Sequence, residues 1–247
     1  MAGQDAGLYS ESFYAELDGG ARLAAGLVTP ILLELTPVTS VLDVGCGVGS
    51  WLAVMSDSGV TDVTGIDGDL VPEELLQVPG RCVHRQDLSA PFDLGRRFDL
   101  VVSTEVAEHL PPPCADTFVR SIAAHTDLVA FSAAVPGQGG TGHVNEQWPS
   151  YWASLFEAQG FTTLDIIRPR IWDQSGDVFI IAQNLLVYAR GDALQSLSGV
   201  ERSAPWPIDL VHPRMVGATA DQSLRGLAAR VPGAIVRRLR GRSSQHR

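Results

Sequence analysis

The chain has 247 residues, of which 45% are hydrophobic and 19% are charged, and its net charge is −10. This composition is typical of a soluble protein with one large domain, and no apolar run approaches the roughly 20 residues that span a bilayer. An acidic body repels a nucleic-acid backbone, so a nucleic-acid substrate is not expected.

The charge is unevenly distributed along the chain. Residues 214–247 carry eight arginines and one acid, so this tail has a charge of +7 and the remainder −17. Apolar residues at spacings of three and four in the tail suit either weak peripheral contact with an anionic membrane or a solvated tail. Three scattered cysteines without a C-x-x-C pair, and a start without a signal peptide, predict a cytoplasmic protein with reduced thiols.

In chain order, the predicted elements begin with one or two helices over 13–35 and then alternate between strands and helices. The predicted strands are Val41–Val44, Val63–Ile66, Arg81–His84, Phe98–Ser103, Leu128–Ala134, Phe161–Ile167 and Asn184–Ala189. The predicted helices among them are Ser50–Ser58, Leu70–Gln77, Cys114–His125 and Trp148–Gln159. This alternation predicts an α/β fold with a doubly wound, Rossmann-like, mostly parallel seven-stranded sheet and helices on both faces.

A glycine-rich turn, Gly45-Cys46-Gly47-Val48-Gly49, joins the first strand to the next helix. Glycine is needed where the backbone adopts positive φ or approaches a ligand closely, and a helix N-terminus presents unpaired N–H groups. The spacing is G-x-G-x-G, because Ser50 stands where the dinucleotide-binding pattern G-x-G-x-x-G has its last glycine. The turn therefore suits a nucleoside-type ligand better than a pyrophosphate.

Acidic residues follow the predicted strands. Ligands of doubly wound sheets bind beyond the carboxyl ends of the strands, where Asp67, Asp87, Glu105 and the loop after the fifth strand fall. A carboxylate in that place, such as Asp67, can accept two hydrogen bonds at once from a bound ligand. Two alternatives stay open, an ordinary turn acid at Asp67 and a turn cap at Asp87.

Together these motifs resemble the class I S-adenosylmethionine-dependent methyltransferases over residues 38–190, in the family's order. VLDVGCGVG resembles the turn under the methionine part of the cofactor, GID the strand end that binds the ribose, and QDL the acid beside the adenine amino group. FDLVVSTEVAEHL resembles the fourth strand and its loop. The segments GHVNEQWPSYWASLFEAQGF and RPRIWDQ…AQNLLVYAR resemble bacterial members found with carbohydrate-modifying and secondary-metabolite enzymes.

The resemblance implies S-adenosylmethionine as the cofactor and a set of residues that bind it. The implied cofactor-binding residues are Asp43, Gly45, Cys46, Gly47, Gly49, Asp67, Gly68, Asp87, Leu88 and Thr104. Asp43 would orient the amino end of the cofactor through nearby backbone and water, although a structural turn acid fits the same position.

Methyl transfer to a hydroxyl also needs a group that takes a proton, and an imidazole titrates near neutral pH. His143, in the loop after the fifth strand, is the candidate base, with a solvated loop residue as the alternative. His109 follows Glu105 by four residues, so the two would share one face of a helical turn. Glu105 would bind substrate or the cofactor ammonium, whereas His109 could also only support the loop.

The acceptor itself is expected to contact residues near His143. Asn145 and Glu146 could grip its hydroxyls, and Trp148 and Tyr151 either line its pocket or pack in the core. No cluster of histidine, cysteine and carboxylate residues occurs at ligand spacing, so no metal site is expected.

We therefore expect a methyltransferase that acts on a small molecule, at a hydroxyl of a sugar or glycosylated metabolite. The alternatives are N- or C-methylation of a secondary metabolite, a catalytically silent cofactor-binding module, and an NAD-dependent oxidoreductase. The expected organisation is a helical cap over 1–37, the methyltransferase domain over 38–190, a linker over 191–213 and the basic tail. The sequence does not indicate the oligomeric state.

Overall fold

In the computed structural model, which describes residues 11–68, 71–197 and 208–216, seven strands form one sheet. In chain order the strands are β1 (Ser40–Val44), β2 (Asp62–Asp67), β3 (Val83–Arg85), β4 (Leu100–Thr104), β5 (Leu128–Ser132), β6 (Thr162–Leu164) and β7 (Leu186–Ala189). Their order in the sheet is β3-β2-β1-β4-β5-β7-β6, and β7 alone of them runs antiparallel to its neighbours. The mostly parallel seven-stranded sheet is confirmed.

The α-helices of the described residues cover both faces of this sheet, as predicted. They are α1 (Glu11–Leu35), α2 (Ser50–Asp57), α3 (Ala115–His125), α4 (Pro149–Ala158), α5 (Arg168–Ile171), α6 (Phe179–Asn184) and α7 (Gly191–Ser196). Because successive strand residues point to opposite faces, the buried side chains form two clusters. One cluster joins α1 and α2 to alternate strand residues such as Val41 and Leu100, and the other joins α3 and α4 to Leu42 and Val101.

The connecting segments differ most from the prediction. The helix expected over 70–77 is a 3₁₀ turn, Glu73–Leu75, and Pro72 and Pro79 on either side of it adopt extended backbone with ψ of 135° and 134°. The sixth strand ends at Leu164, and the short helices α5, α6 and α7 were not predicted. Short helices of four to six residues leave too little periodicity to recognise.

A buried arginine fixes the start of α5. Arg168 is fully buried, and its Nε and Nη2 donate to the two carboxylate oxygens of Asp165 at 2.9 and 2.6 Å. Its Nη1 donates to the carbonyl oxygens of Gln183 and Ile208 at 3.2 and 2.9 Å. This arginine therefore joins the segment after β6 to the end of α6 and to residue 208.

The chain divides into two compact units, residues 1–210 and 211–247, and the second is described over 211–216. There the backbone N–H of Met215 donates to the carbonyl oxygen of His212 at 2.8 Å. From residue 217 the basic tail lies outside the described residues, as does its predicted membrane contact. None of the described helices combines the length and the apolar character that crossing a membrane requires.

Candidate active site

The glycine turn after β1 lies against the carboxyl end of β2. Gly45, Gly47 and Gly49 have φ of 83°, 51° and 83°, in the left-handed region that favours glycine. The N–H groups of Gly45 and Cys46 donate to the carbonyl oxygen of Ile66 at 2.8 and 3.2 Å. A Cβ on Gly47 would meet nothing within 4 Å among the described residues, so this part of the turn faces open space that a ligand can enter.

The acid that ends β2 is bonded to this turn. The N–H of Gly47 donates to Oδ2 of Asp67 at 2.8 Å. The next residue, Gly68, accepts a hydrogen bond from Nε of Arg85 at its carbonyl oxygen, at 3.2 Å. Asp67 therefore lies at the carboxyl edge of the sheet, as the sequence analysis predicted, and beside the open face of Gly47.

Asp43 is a buried acid beneath the turn. It is 2% exposed, and its Oδ2 accepts no hydrogen bond from any described residue. Burial, with a further contribution from the negative charge of Asp67, raises the pKa of Asp43 to about 8. Cys46 lies close by, and burial together with the charge of Asp43 raises the pKa of its thiol. An unpaired buried carboxylate is costly, so this position favours a cation or a hydrogen-bond donor.

Asp87 is exposed and caps its own turn. Its Oδ1 accepts hydrogen bonds from the backbone N–H and the hydroxyl of Ser89, at 2.9 and 2.6 Å. These bonds from Ser89 hold the pKa of Asp87 below its usual value. Leu88, between them in sequence, is buried in the core. The capping geometry is the alternative that the sequence left open at Asp87, and the acid still lies at the edge predicted for ligand binding.

Glu105 follows Thr104, the last residue of β4, and has φ of 53°, the one positive value among the described non-glycine residues. Its N–H donates to the carbonyl oxygen of Ser132, and its carboxylate accepts hydrogen bonds from Gln138 Nε2 at 2.7 Å and Asn184 Nδ2 at 3.1 Å. Burial raises the pKa of Glu105 despite the hydrogen bonds that it accepts. Strained backbone of this kind persists where the surroundings fix it, and is frequent at functional sites.

A 3₁₀ turn, Ala107–His109, brings Glu108 and His109 beside His143. We call Glu108, His109 and His143 the Glu-His cluster. Glu108 is 0% exposed, and neither of its carboxylate oxygens accepts a hydrogen bond of ordinary geometry from a described residue, although the nearby backbone of Glu108 and Ala134 acts to lower its pKa. The His143 Nε2 lies 4.0 Å from Glu108 Oε1, and the rings of His109 and His143 meet edge to face with centroids 4.9 Å apart.

The electrostatics of the Glu-His cluster are set by burial. Burial, followed by the negative charge of Glu105, raises the pKa of Glu108 to about 9. Burial and the neighbouring His143 lower the pKa of His109. A neutral carboxyl and a neutral imidazole are therefore favoured while no cation occupies the space between them.

Glu146 orders the loop that carries His143. Its Oε2 accepts the N–H of Gly137 at 2.8 Å, and its Oε1 accepts the N–H of Gly139 at 2.7 Å and bonds Nδ1 of His143 at 2.9 Å. Burial opposes ionisation here, but the bonds from His143 and the two glycine amides prevail, so the pKa of Glu146 lies below its usual value. Because a carboxylate accepts, the proton of His143 is placed on Nδ1, and Nε2 faces Glu108.

The same loop is docked onto the 3₁₀ turn by its backbone. The N–H groups of Val144 and Asn145 donate to the carbonyl oxygen of Glu108 at 2.8 and 3.0 Å. Asn145 is 2% exposed, and its side chain donates to the carbonyl oxygen of Ala107 at 3.4 Å and accepts from Gln147 at 3.1 Å. Asn145 therefore holds the loop to the turn.

The two aromatic candidates lie at the start of α4. Trp148 is 37% exposed and immediately precedes the helix. Tyr151 is half-buried, and its ring meets that of Trp152 edge to face with the centroids 5.0 Å apart. Trp148 thus remains available to an acceptor, and Tyr151 combines packing with partial exposure.

Some functional candidates escaped the sequence analysis. The 3₁₀ turn begins at Ala107, after the positive φ of Glu105, so Glu105 lies outside the helical turn that it was expected to share with His109. The acid within that turn is Glu108. The spacing Glu105-Val-Ala-Glu108-His109 was the available signal. Gln138 and Asn184 gave none, because they meet Glu105 across 33 and 79 residues of sequence. The sequence analysis also expected no cluster of possible metal ligands, and the structure assembles one from two loops.

Comparison with known proteins identifies the family. A family model described as a methyltransferase domain matches residues 16–166. No significant match was found among curated protein sequences.

Solved structures share the fold. The sugar N-methyltransferase KedS8 from Streptoalloteichus sp ATCC 53650 is 18% identical, with a TM-score of 0.57 over 77% of this chain and 98% of that chain. The amino pentose methyltransferase CalS10 from Micromonospora echinaspora, solved with S-adenosylmethionine (SAM) bound, is 17% identical, with a TM-score of 0.53 over 76% of this chain and 100% of that one. DesVI from Streptomyces venezuelae is 18% identical, with a TM-score of 0.51 over 77% and 100%. Since the family match spans more than half of the sequence, this chain belongs to the methyltransferase domain family, within the class I SAM-dependent methyltransferases.

Proposed function

We propose that this protein transfers a methyl group from SAM to a hydroxyl of a small-molecule acceptor, a sugar or a glycosylated metabolite. The observation that carries the proposal is the buried Oδ2 of Asp43, which accepts no hydrogen bond from a described residue and lies beneath the open glycine turn. A cationic cofactor with an amino-acid end and a ribose matches this arrangement, because it offers positive charge near Asp43 and a diol for Asp67.

The residues around the turn fit the cofactor. The family uses SAM, which when bound supplies an electrophilic methyl group on a sulfonium. Gly45, Cys46, Gly47 and Gly49 are proposed to hold its methionine part, with Asp43 below them. Asp67 and Gly68 are proposed to bind the ribose. The residues proposed for the adenine side and the reacting end are Asp87, Leu88 and Thr104.

The side chains proposed to contact the acceptor support methyl transfer to a hydroxyl rather than to an amine. A hydroxyl must lose a proton to attack, whereas a neutral amine attacks through its lone pair. Glu105, His109 and His143 lie at the ends of β4 and β5 and supply carboxylate and imidazole groups for this task. Glu146, bonded to Nδ1, leaves Nε2 of His143 as the nitrogen that acts.

The remaining acceptor contacts and the substrate class are also proposals. Trp148 and Tyr151 offer aromatic surface for a sugar face, while Asn145 and Glu146 shape the loop beside it. A sugar acceptor is supported by the similarity to KedS8 and CalS10, a sugar N-methyltransferase and an amino pentose methyltransferase. Those functions favour N-methylation of an amino sugar as the second candidate.

The test is calorimetric titration of the full-length protein with S-adenosylhomocysteine (SAH), with Asp67→Ala beside the matched control Asp173→Ala. Asp173 is an exposed acid after α5. We expect binding to the wild type and to the control, and strong loss in Asp67→Ala. Equal binding by all three proteins would refute the assigned site, and binding of NADH in place of SAH would refute the cofactor.

Acceptor class is then tested with SAM and matched pairs of sugars and amino sugars, read by mass spectrometry. A methyl group gained by hydroxyl-only sugars supports the proposal. Methylation confined to the amino sugars would replace it with the second candidate.

A further inference from the structure

We propose that the Glu-His cluster binds one divalent first-row transition-metal cation, and that this cation binds the oxygen of the acceptor hydroxyl. The first part stands on the cluster alone, and the second rests on the proposed function.

The first step is that the buried carboxyl group of Glu108 has no cationic arginine beside it. Glu108 is 0% exposed, and neither carboxylate oxygen accepts a hydrogen bond of ordinary geometry from a described residue, although the backbone of Glu108 and Ala134 is close enough to oppose the rise in its pKa. Glu105 and Glu146 are further carboxylates nearby, and no described arginine forms an ion pair with any of the three. Burying a carboxylate without a cationic partner is costly, so a cation bound here would stabilise the ionised form of Glu108.

The second step is the convergence of ligand atoms. One ligand atom each from Glu108, His109 and His143 lies within 4.8 Å of the other two. Ligands at about 2.0–2.2 Å from one cation are separated by at most roughly 4.4 Å, so small side-chain movements close the site. Two imidazoles and one carboxylate favour Mn²⁺, Fe²⁺, Co²⁺ or Zn²⁺ over Mg²⁺ and Ca²⁺, which prefer oxygen ligands alone.

The third step is that both histidines are held by outer partners. Glu146 Oε1 bonds Nδ1 of His143 at 2.9 Å, which directs Nε2 toward Glu108. The backbone of Gly142 hydrogen-bonds the ring of His109. A metal-binding histidine is characteristically oriented by a carboxylate or a carbonyl on its other ring nitrogen.

The fourth step is the position of the cluster beside the cofactor turn. A Cβ on Gly45 would overlap Cγ2 of Val106, two residues before Glu108. Three protein ligands leave coordination positions open for an acceptor oxygen, and a bound cation lowers the pKa of a hydroxyl. The acceptor hydroxyl then releases its proton to solvent, its oxygen forms the C–O bond, and the electrons of the broken C–S bond stay on sulfur, giving SAH. His143 acts in this scheme as a ligand in place of a direct base.

The experiment uses full-length protein treated with a chelator, dialysed, and titrated with MnCl₂ by calorimetry and with CoCl₂ by visible absorption. Glu108→Gln and His143→Gln are compared with the control His84→Gln, whose exposed histidine lies on β3. We expect one Mn²⁺ per chain, unchanged in the control and weakened by at least about tenfold in both cluster variants. Glu146→Gln should weaken binding less, because it removes an orienting partner.

SAH titration of each variant shows that the cofactor site is folded and tests the proposed function separately from metal binding. Wild-type protein that binds SAH but neither Mn²⁺ nor Co²⁺ would overturn the metal site, as would equal metal binding by all variants. Loss of methyl transfer in chelator with recovery in Mn²⁺ supports the catalytic part. Full transfer by metal-free protein would overturn that part and return the base role to His143.

Discussion

The N–H of Gly47 donates to Oδ2 of Asp67 at 2.8 Å, so the acid that ends β2 and the turn that follows β1 are directly bonded. The parallel pairing of β1 with β2, with Val44 opposite Ile66, places the two at the same edge of the sheet. The carboxylate is therefore oriented before any ligand binds, which reduces the entropy lost on binding.

Asp67 has two expected roles, which are to accept the bond from the Gly47 amide and to bind the ligand. Replacing Asp67 with Asn or Ala separates these two roles. Asn keeps one oxygen for the Gly47 amide but loses the charge and the second acceptor, whereas Ala removes both. We expect SAH affinity to fall about tenfold for Asp67→Asn and more for Asp67→Ala, because bonds to charged groups contribute about 1.5–3 kcal/mol. Calorimetric titration measures both, and equal affinities for the two variants would contradict the separate roles.

Gly45→Ala should mainly lower the stability of the fold, whereas Gly47→Ala should mainly lower the affinity for SAH. Both glycines have positive φ, so each substitution costs about 1–2 kcal/mol in backbone strain. A Cβ at 45 also meets Val106, which adds about 1–3 kcal/mol, whereas a Cβ at 47 meets nothing within 4 Å among the described residues. Urea unfolding should show that Gly45→Ala is the less stable variant. Titration with SAH, under conditions in which both variants are folded, should show that Gly47→Ala binds more weakly.

Asp43 should make the ligand-free protein less stable as pH rises. Its folded pKa of about 8 exceeds the ordinary value of 3.8, so between these values the folded state binds more protons than the unfolded state. The free energy of unfolding then falls with rising pH, by at most about 1.4 kcal/mol per pH unit from this group. Asp43→Asn should remove that part of the slope, as measured by urea unfolding at about pH 6 and about pH 8. A slope equal to that of the wild type would contradict the prediction.

Arg168 should be far more important to stability than an exposed arginine. Arg168→Met leaves Asp165 and two carbonyl oxygens without their donor, and breaking a buried pair costs about 3–5 kcal/mol. The matched control is Arg120→Met, which breaks the exposed pair with Asp116 and should cost less than about 1 kcal/mol. Thermal or urea unfolding of the two variants gives the comparison, and similar losses would show that Arg168 is not a structural anchor.

The parts of the fold that the sequence predicted are those encoded locally. β4 and β5 begin with continuous apolar runs, β1 is apolar except at Ser40 and Asp43, and the glycine turn and Asp67 stand at fixed places after their strands. Glu105 and His143 were predicted as site residues because loops at this edge of a parallel sheet often carry function, and their roles stay predictions. Glu108 was missed because its burial depends on the loop that docks over it through Val144 and Asn145. Asn184 was missed because α6, which carries it to Glu105, is a six-residue helix without a start signal.

The contact between Val106 and Gly45 limits how this enzyme can be re-engineered. Val106 stands in sequence between Glu105 and Glu108, in the loop after β4, yet in space it packs on the glycine turn after β1. A bulkier residue there would displace the turn, so a graft of this loop from another methyltransferase must bring a side chain no larger than valine at 106.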